Sequence, residues 1–332
     1  GFDYVHNPER LTRPLIRRED VPKRADVEFD PAHPETIFRE ASWEEALNKA
    51  AAGFSNILQK SGSDALAGLG SAKGSCEEAY LFQKLIRSGF GTNNVDHCTR
   101  LCHASSVAAL LEGVGSGAVS NPMADVKHAD VIIITGANPA INHPVGASWM
   151  KNAIKRGTQL IYMDPRRSAM SRHATHHIRF KPASDVALLN AMMHVIIKED
   201  LVDAEFIQQR TEGFAELKAH LQAYTPESMA PVCGIEANEI RNIARLFANA
   251  NNAMIFWGMG VSQHIHGTDN ARCLIALCMI TGHIGRPGTG LHPLRGQNNV
   301  QGASDVGLIP MMYPDYQPIT SEQNRQKFES AW

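Results

Sequence analysis

The chain has 332 residues, of which 43% are hydrophobic and 20% are charged, and its formal net charge is −2 at pH 7. These values are typical of a globular protein with one large or two ordinary domains and a substantial hydrophobic core. They give no indication of binding to nucleic acid or to an anionic membrane surface.

The first sixty residues contain a leading segment and a helix. Residues 1–40 are rich in Pro, Arg and Asp and show no periodicity, which predicts an extended, loop-like segment. Ser42 can cap a helix that ends near Lys60. Glu45 stands three residues after Ser42, which is the spacing of a capping box.

A strand, a glycine-rich loop and a helix follow in that order. The apolar stretch 65–69 predicts a buried strand, the loop covers 70–74, and the helix covers 76–90. This arrangement presents backbone N–H groups and a helix dipole to a phosphate. The loop is neither a Walker A motif nor a clean GxGxxG motif, so it identifies no nucleotide class by itself.

The alternation of strands and helices continues along the chain. Continuous apolar runs predict strands buried on both faces at 130–135, 159–163 and 253–257. We predict helices at 144–156, at 185–199, at 269–281 and, two or three in number, within 201–250. From Gly282 onward, frequent Gly and Pro predict loops. The pattern predicts an α/β fold of parallel sheets with helices on both faces, whose ligands bind beyond the carboxyl ends of the strands.

The densest group of reactive side chains contains His97, Cys98, Cys102 and His103. One interpretation is a loop-to-helix junction with two structural thiols. A second is a zinc site, although its adjacent donors would differ from the usual two separated pairs. A third is a single thiolate ligand at Cys102 for a soft metal, since a position near the start of a helix favours thiolate over thiol.

A second group of polar residues lies at 293–302, which is almost free of hydrophobic side chains. Its side-chain amides can pair with the donors and acceptors of a heterocycle, and Arg295 can hold a carboxylate through two hydrogen bonds. The alternative interpretation is a solvated loop without a ligand.

Several segments together resemble molybdopterin-dependent formate dehydrogenases. The stretch 102–110, followed by 115–121, resembles the metal-ligand segment of that family, and 294–303 resembles its substrate-arginine segment. Shorter matches occur in the expected order at 91–95, 138–139, 164–166 and 258–263. Each motif is weak alone, but their joint order and spacing favour the family over the structural interpretations.

The resemblance implies a molybdenum or tungsten ion that is held by two pyranopterin guanine dinucleotides and by Cys102. It implies that Arg295 binds the carboxylate of formate, which is oxidised to carbon dioxide or formed from it, and that His103 is an acid, base or electrostatic partner. For the dinucleotides it implies contacts from loops after the strands, in Rossmann-like domains: Lys73, Gly74, Asn138, Asn142, Asp164, Arg166, Asp185, Gly258, Met259, Gln263, Gln297 and Asn298.

The resemblance also implies a longer parent protein. Family members carry an amino-terminal [4Fe-4S] segment and a carboxyl-terminal domain, and neither is recognised in this chain, which we interpret as an excised middle portion. Electrons would pass to that cluster, outside this chain, and then to electron-transfer subunits with iron–sulfur clusters. Within the chain we predict a leading segment and first helix, a portion carrying Cys102, a dinucleotide-binding domain and a loop that returns to the first portion, at 1–60, 61–135, 136–290 and 291–332.

Other functions stay open as alternatives. A nicotinamide-dependent dehydrogenase would need GxGxxG and an acidic partner, whereas Gly68, Gly70 and Gly74 are one residue out of register. Another molybdopterin oxidoreductase, or a metal-free relative that serves as a structural electron-transfer subunit, need not retain Cys102, His103 and Arg295 together. Six scattered cysteines favour a reducing, cytoplasmic compartment, and the longest apolar run is too short for direct membrane insertion.

Overall fold

The computed structural model describes residues 2–24 and 26–332. Its α-helices are α1 (Phe2–Val5), α2 (Trp43–Ser61), α3 (Cys76–Lys84), α4 (Thr99–Cys102), α5 (Ala104–Val114), α6 (Pro139–Asn142), α7 (Pro144–Lys155), α8 (Asp185–Lys198), α9 (Ala204–Arg210), α10 (Phe214–His220), α11 (Pro226–Cys233), α12 (Ala237–Ala248), α13 (Met259–Ser262), α14 (Gly267–Ile280), α15 (Val300–Asp305) and α16 (Glu322–Ala331). Its strands are β1 (Leu15–Arg17), β2 (Phe38–Glu40), β3 (Gly68–Gly70), β4 (Val95–His97), β5 (Val131–Thr135), β6 (Gln159–Met163), β7 (His176–Ile178), β8 (Ala253–Trp257), β9 (Gly290–Pro293), β10 (Met312–Tyr313) and β11 (Gln317–Pro318). Within these described residues, no helix combines the length and the apolarity needed to cross a bilayer.

The largest sheet among the described residues has five parallel strands in the order β7-β6-β5-β8-β9. Side chains alternate between its two faces. Val131 and Ile133 of β5 therefore pack with α8, α12 and α14 on one face. Ile132 and Ile134 pack with α7 on the other face. The predicted α/β class, with parallel strands and helices on both faces, is confirmed.

The order of the strands reverses direction at β5. From β5 the chain adds β6 and β7 on one side, and it then returns to add β8 and β9 on the other side. In open α/β sheets such a reversal leaves a crevice beyond the carboxyl ends of the two central strands, where ligands bind. We therefore expect a ligand-binding site in the crevice between the ends of β5 and β8.

A smaller parallel pair, β3 and β4, forms a second core with the end of the chain. Ala72, Ile86 and Val95 pack there against Val300 and Leu308, which follow the large sheet in sequence. Strand β5 belongs to the large sheet, so we propose that the domain boundary lies ahead of β5 and not after residue 135.

The cap of the first long helix is confirmed in part. The Ser42 hydroxyl accepts the Glu45 N–H at 3.1 Å, and α2 follows. The Glu45 carboxylate does not complete the box, because it binds the Arg39 guanidinium instead. The leading segment also contains the antiparallel pair β1 and β2, which its composition did not indicate.

Three further predictions of local structure need correction. The first strand is shorter than predicted, because a 3₁₀ turn occupies Ser63–Ala65 and the strand begins at Gly68. The segment 201–250 contains α9, α10, α11 and α12, of which the first three are only seven or eight residues long. The region after Gly282, which we predicted as loops, includes β9, α15 and α16. Residues Gly290–Pro293 form a strand because they pair with β8.

Arg87 ties the end of the chain to the small sheet. Its guanidinium donates to the carbonyl oxygens of Gly307 at 2.8 Å, Ile309 at 2.8 Å and Met312 at 3.0 Å. It also donates to the Gln83 side chain at 2.6 Å. Burial lowers the pKa of Arg87 to about 10, so the side chain is still charged at pH 7.

Replacing Arg87 by methionine should destabilise the protein by about 3–5 kcal/mol, because three carbonyl oxygens lose a charged donor inside the fold. The measurement is the urea midpoint of the full-length protein. Arg13→Met is the control, since the Arg13 side chain is 72% exposed and its ion pair is long. Equal midpoints for the two variants would contradict the role of Arg87.

Candidate active site

Cys102 lies between two helices at the edge of the crevice. It is the last residue of α4, and α5 begins two residues later at Ala104. Its partly buried Sγ lies 3.8 Å from the Met259 Sδ, which follows β8. Burial raises the pKa of the Cys102 thiol, whereas the Gly296 N–H and the Arg295 charge lower it. Burial and these two neighbours therefore act in opposite directions on the thiol, and the assignment of Cys102 as a thiolate ligand stays a prediction.

His103 is completely buried beside Cys102. Its Nε2 donates to the Leu294 carbonyl at 3.1 Å, and its Nδ1 accepts from the Ser262 hydroxyl at 2.9 Å. Burial, with the charge of Arg295, lowers the pKa of His103 to about 4. The ring is therefore neutral at pH 7, and both of its nitrogens are already hydrogen-bonded.

A chain of hydrogen bonds fixes the tautomer of His103. A carbonyl oxygen can only accept, so Nε2 carries the hydrogen and Nδ1 is the acceptor. Ser262 must then donate to His103 and accept from Ser106, whose Oγ lies at 2.5 Å. Ser106 in turn accepts from the Trp257 Nε1–H at 2.8 Å. These hydroxyls have no local signal in the sequence, because they lie in helices with apolar neighbours and only the fold brings them together.

Arg295 follows β9 and lies in the same crevice. Its guanidinium donates to the Gly117 carbonyl. Burial lowers the pKa of Arg295, and the nearby Tyr316 and Cys102 oppose that shift. The carbonyl of Arg295 accepts from the His143 Nε2 at 2.6 Å. The fold therefore brings Cys102, His103 and Arg295 together, and it adds His143 as a neighbour that no motif in the sequence indicated.

The amide-rich loop joins the site to the glycine-rich loop after β3. The Gln297 Oε1 accepts from the Cys98 thiol at 2.9 Å. The Asn299 side chain donates to the Gly74 carbonyl at 2.9 Å, and its N–H donates to Ala72 at 3.0 Å. Lys73 and Asn298, which we also predicted as cofactor contacts, are exposed on these loops.

The crevice brings three more predicted residues close together. Gly258 packs against the end of β5, where an added Cβ would lie 2.5 Å from the Gly136 carbonyl oxygen. Met259 contacts Cys102, and the Gln263 side chain donates to the carbonyl of Leu101. The backbone segments that follow β5 and β8 are therefore in contact, and Met259 places this contact beside the Cys102 thiol.

The remaining predicted residues lie on neighbouring loops. Asp164 is buried after β6 and accepts the Arg166 N–H at 2.8 Å, while the Arg166 side chain is exposed. Asp185 is buried at the start of α8, and burial raises the pKa of its carboxyl. Asn142 is exposed at the end of α6. No hydrogen bond or ion pair joins these four to the Cys102 cluster among the described residues.

The zinc interpretation of the cysteine cluster does not fit the geometry. Cys98 turns to Gln297, and the His97 Nε2 lies 3.2 Å from the Ser304 hydroxyl. Across residues 2–24 and 26–332, no group of three or more His, Cys, Asp or Glu side chains is arranged to hold a metal ion. A metal at Cys102 would take its other donors from a bound cofactor.

Two unpaired atoms indicate what kind of cofactor would fit. The Asn138 Oδ1 and the His143 Nδ1 are buried and have no hydrogen-bond partner in the described structure. Buried polar atoms are almost always satisfied, so a ligand with N–H donors would complete both of them. They flank α6, directly after β5. The residues therefore fit a polar heterocycle in the crevice, with a soft metal beside the Cys102 sulfur.

Comparison with known proteins agrees with this geometry. The family model described as Molybdopterin oxidoreductase matches residues 10–329. The chain belongs to the molybdopterin oxidoreductase family. Its fold agrees with that membership: the structure of acetylene hydratase from Pelobacter acetylenicus covers 87% of this chain and is itself covered to 37%, with a TM-score of 0.75 and 24% sequence identity.

Similar members of the molybdopterin oxidoreductase family include formate dehydrogenases. The chain is 43% identical to formate dehydrogenase H of Escherichia coli strain K12, across 100% of this chain and 45% of that protein. It is 40% identical to the F420-dependent formate dehydrogenase 1 subunit alpha of Methanococcus maripaludis, across 99% of this chain and 46% of that protein. The chain thus spans about half the length of these curated relatives.

Proposed function

We propose that the chain is the catalytic portion of a formate dehydrogenase. The observation that carries the proposal is the convergence of a partly buried thiol, Cys102, and a partly buried cation, Arg295, at the crevice between β5 and β8. A soft ligand for a metal beside a receptor for a small carboxylate suits formate oxidation at a metal centre. The similarity to proteins named formate dehydrogenases supports the same substrate.

The proposed cofactor is molybdenum or tungsten with two molybdopterin guanine dinucleotides. Cys102 would ligate the metal, and Asn138, Gln297 and the backbone near Gly258 would contact the pterins. The loops at Gly74, Asp164 and Asp185 would contact the dinucleotides. When bound, this group would accept the two electrons of formate oxidation and connect the site to a [4Fe-4S] cluster and to electron-transfer subunits of the full protein.

The residues of the chain would bind and orient formate. The Arg295 guanidinium offers two parallel N–H groups to a carboxylate, and partial burial strengthens that pair. The charge of Arg295 also favours the thiolate form of Cys102. His103 is neutral and fully hydrogen-bonded, so we assign it to holding the Leu294 carbonyl and not to accepting the proton of formate.

The deciding experiment is metal analysis of the full-length protein together with formate-dependent dye reduction. We expect molybdenum or tungsten and formate oxidation. A metal-containing protein that does not oxidise formate would be another molybdopterin oxidoreductase, and a protein without either metal would be a structural relative. The free thiols of all six cysteines fit a reducing, cytoplasmic compartment, which is part of the proposal.

Replacing Arg295 by lysine should raise the formate KM and lower kcat, because an ammonium group cannot pair with a carboxylate through two parallel N–H groups. Loss of one charged hydrogen bond and of orientation predicts about a tenfold to hundredfold fall in kcat/KM. Arg272→Lys is the control on an exposed ion pair with Glu112. Unchanged kinetics for Arg295→Lys would refute the assigned role.

A further inference from the structure

The peptide that joins Arg295 to Gly296 is held from both sides. Its carbonyl oxygen accepts from the His143 Nε2 at 2.6 Å. Its N–H, which belongs to Gly296, faces the Cys102 thiol and lowers the pKa of that thiol. The chain contains no cis peptide bond among the described residues, so this C=O and this N–H point in opposite directions. His143 and Cys102 therefore lie at opposite edges of one rigid peptide unit.

His143 itself has a fixed position. It closes α6, since its N–H donates to the Pro139 carbonyl at 2.9 Å. It also opens α7, since its carbonyl accepts from the Ala147 N–H at 2.8 Å. Pro144 follows and restricts its backbone further. The imidazole therefore projects from a rigid junction, and movement of the Arg295 peptide would break its hydrogen bond.

The neighbouring peptide is anchored in the same way. The Leu294 N–H donates to the Trp257 carbonyl at 2.7 Å, and the Leu294 carbonyl accepts from His103 at 3.1 Å. Two imidazoles from different elements thus bind two consecutive carbonyl oxygens. Beyond that point the loop has few backbone constraints before Asn299. The hydrogen bond from His143 is consequently the last one to the loop backbone before Gly296, which faces the Cys102 thiol.

We propose that His143 is a positioning residue, which aims the Gly296 N–H at the Cys102 sulfur and the Arg295 side chain at the substrate. This inference rests on the proposed function for the identity of the substrate, but the geometry does not depend on it. Hydrogen bonds to a metal-ligating sulfur and to the partners of a ligand normally tune the site. His143 would do both through a single peptide plane.

The test compares three variants of the full-length holoenzyme. His143→Ala removes the donor, and His143→Gln retains an N–H that can reach the same carbonyl. His283→Ala is the matched control, because the His283 Nε2 also donates to a backbone carbonyl, that of Phe247, at 3.0 Å, and its Nδ1 is also unpaired. Both alanine variants therefore lose a hydrogen bond from an imidazole to a backbone carbonyl.

We expect His143→Ala to raise the formate KM by at least about tenfold with a smaller effect on kcat, since a misdirected guanidinium loses a charge-assisted hydrogen bond to the carboxylate, which costs about tenfold or more in affinity. His143→Gln should restore most of the loss. A KM that changes no more than in His283→Ala, or a glutamine variant that is as impaired as alanine, would overturn the proposal.

A second readout does not depend on activity. Phenylglyoxal modifies accessible guanidinium groups, and peptide mass spectrometry reports the rate at Arg295 alone. We expect Arg295 to be modified faster in His143→Ala than in wild type or His283→Ala. An unchanged rate would overturn the positioning role of His143. If His143→Ala does not fold, His143→Leu takes its place. Wild-type protein that contains metal but leaves formate unoxidised would refute the proposed function, and the Arg295 rate would still decide the role of His143.

Discussion

Cys102→Ala in the full-length protein should lose formate-dependent dye reduction by more than about 100-fold, since outer-sphere substitutions alone commonly cost 10–100-fold at metal sites. Among the described residues, no cluster of other ligating side chains could replace the thiolate. Met259 has a sulfur 3.8 Å from that of Cys102, but a neutral thioether cannot supply the negative charge of a thiolate. The measurements are the metal content and the steady-state rate with a dye as acceptor.

Cys278→Ala is the control for the loss of a thiol. Cys278 is fully buried in α14 and packs in the core of the large sheet, away from the crevice. We expect this control to keep its metal and its rate. Wild-type turnover in Cys102→Ala would refute the assignment of the ligand. A loss of equal size in the control would show that the effect comes from folding.

The strands at the centre of the large sheet were predictable because their signal is local. β5, β6 and β8 are continuous apolar runs, and the structure buries the side chains of β5 and β8 on both faces. Their bounds agree with the prediction to within one residue. Strand β9 has no such signal, because Gly290 has a positive φ of 130° and Pro293 lacks an N–H. It is a strand only because β8 offers it an unpaired edge.

The candidate site was predictable in its residue types but not in its hydrogen bonds. Cys102, His103 and Arg295 were proposed from motifs, and the fold places them together. The Ser106 and Ser262 hydroxyls meet across 156 positions of sequence, which no local pattern indicates. The Ser262 hydroxyl occupies the Nδ1 of His103, and that contact, with burial, favours the neutral ring.

The electrostatic character of the site could not be predicted for the same reason. Helix position alone indicated a Cys102 thiolate, and the resemblance implied an acid, a base or an electrostatic partner at His103. Burial acts against the charged form of both groups, which are the thiolate of Cys102 and the imidazolium of His103. It raises the pKa of the thiol and lowers the pKa of the imidazole. Burial depends on the packing of α4, α5 and the Arg295 loop, which is not a local property.

Acid should destabilise the protein between about pH 6.5 and pH 4 through two histidines that lie outside the Cys102 cluster. His283 and His292 are 1% and 2% exposed. Burial lowers the pKa of each to about 4. Their pKa in the unfolded chain is about 6.5, so below that pH the unfolded state binds more protons than the folded state.

The sign follows from that difference in bound protons. Stability is unaffected above pH 6.5, where both states are neutral, and it falls as the pH drops from there toward the folded pKa. At pH 5 the loss is about 2 kcal/mol for each histidine. The check is the urea midpoint of the full-length protein at pH 7 and pH 5, for wild type and for a His283→Gln, His292→Gln double variant. Glutamine keeps a donor for the Phe247 carbonyl but cannot titrate, so the acid loss should shrink by about 4 kcal/mol in the variant. An identical acid loss in both proteins would assign the effect to other groups, most directly to carboxylates whose ion pairs are broken by protonation.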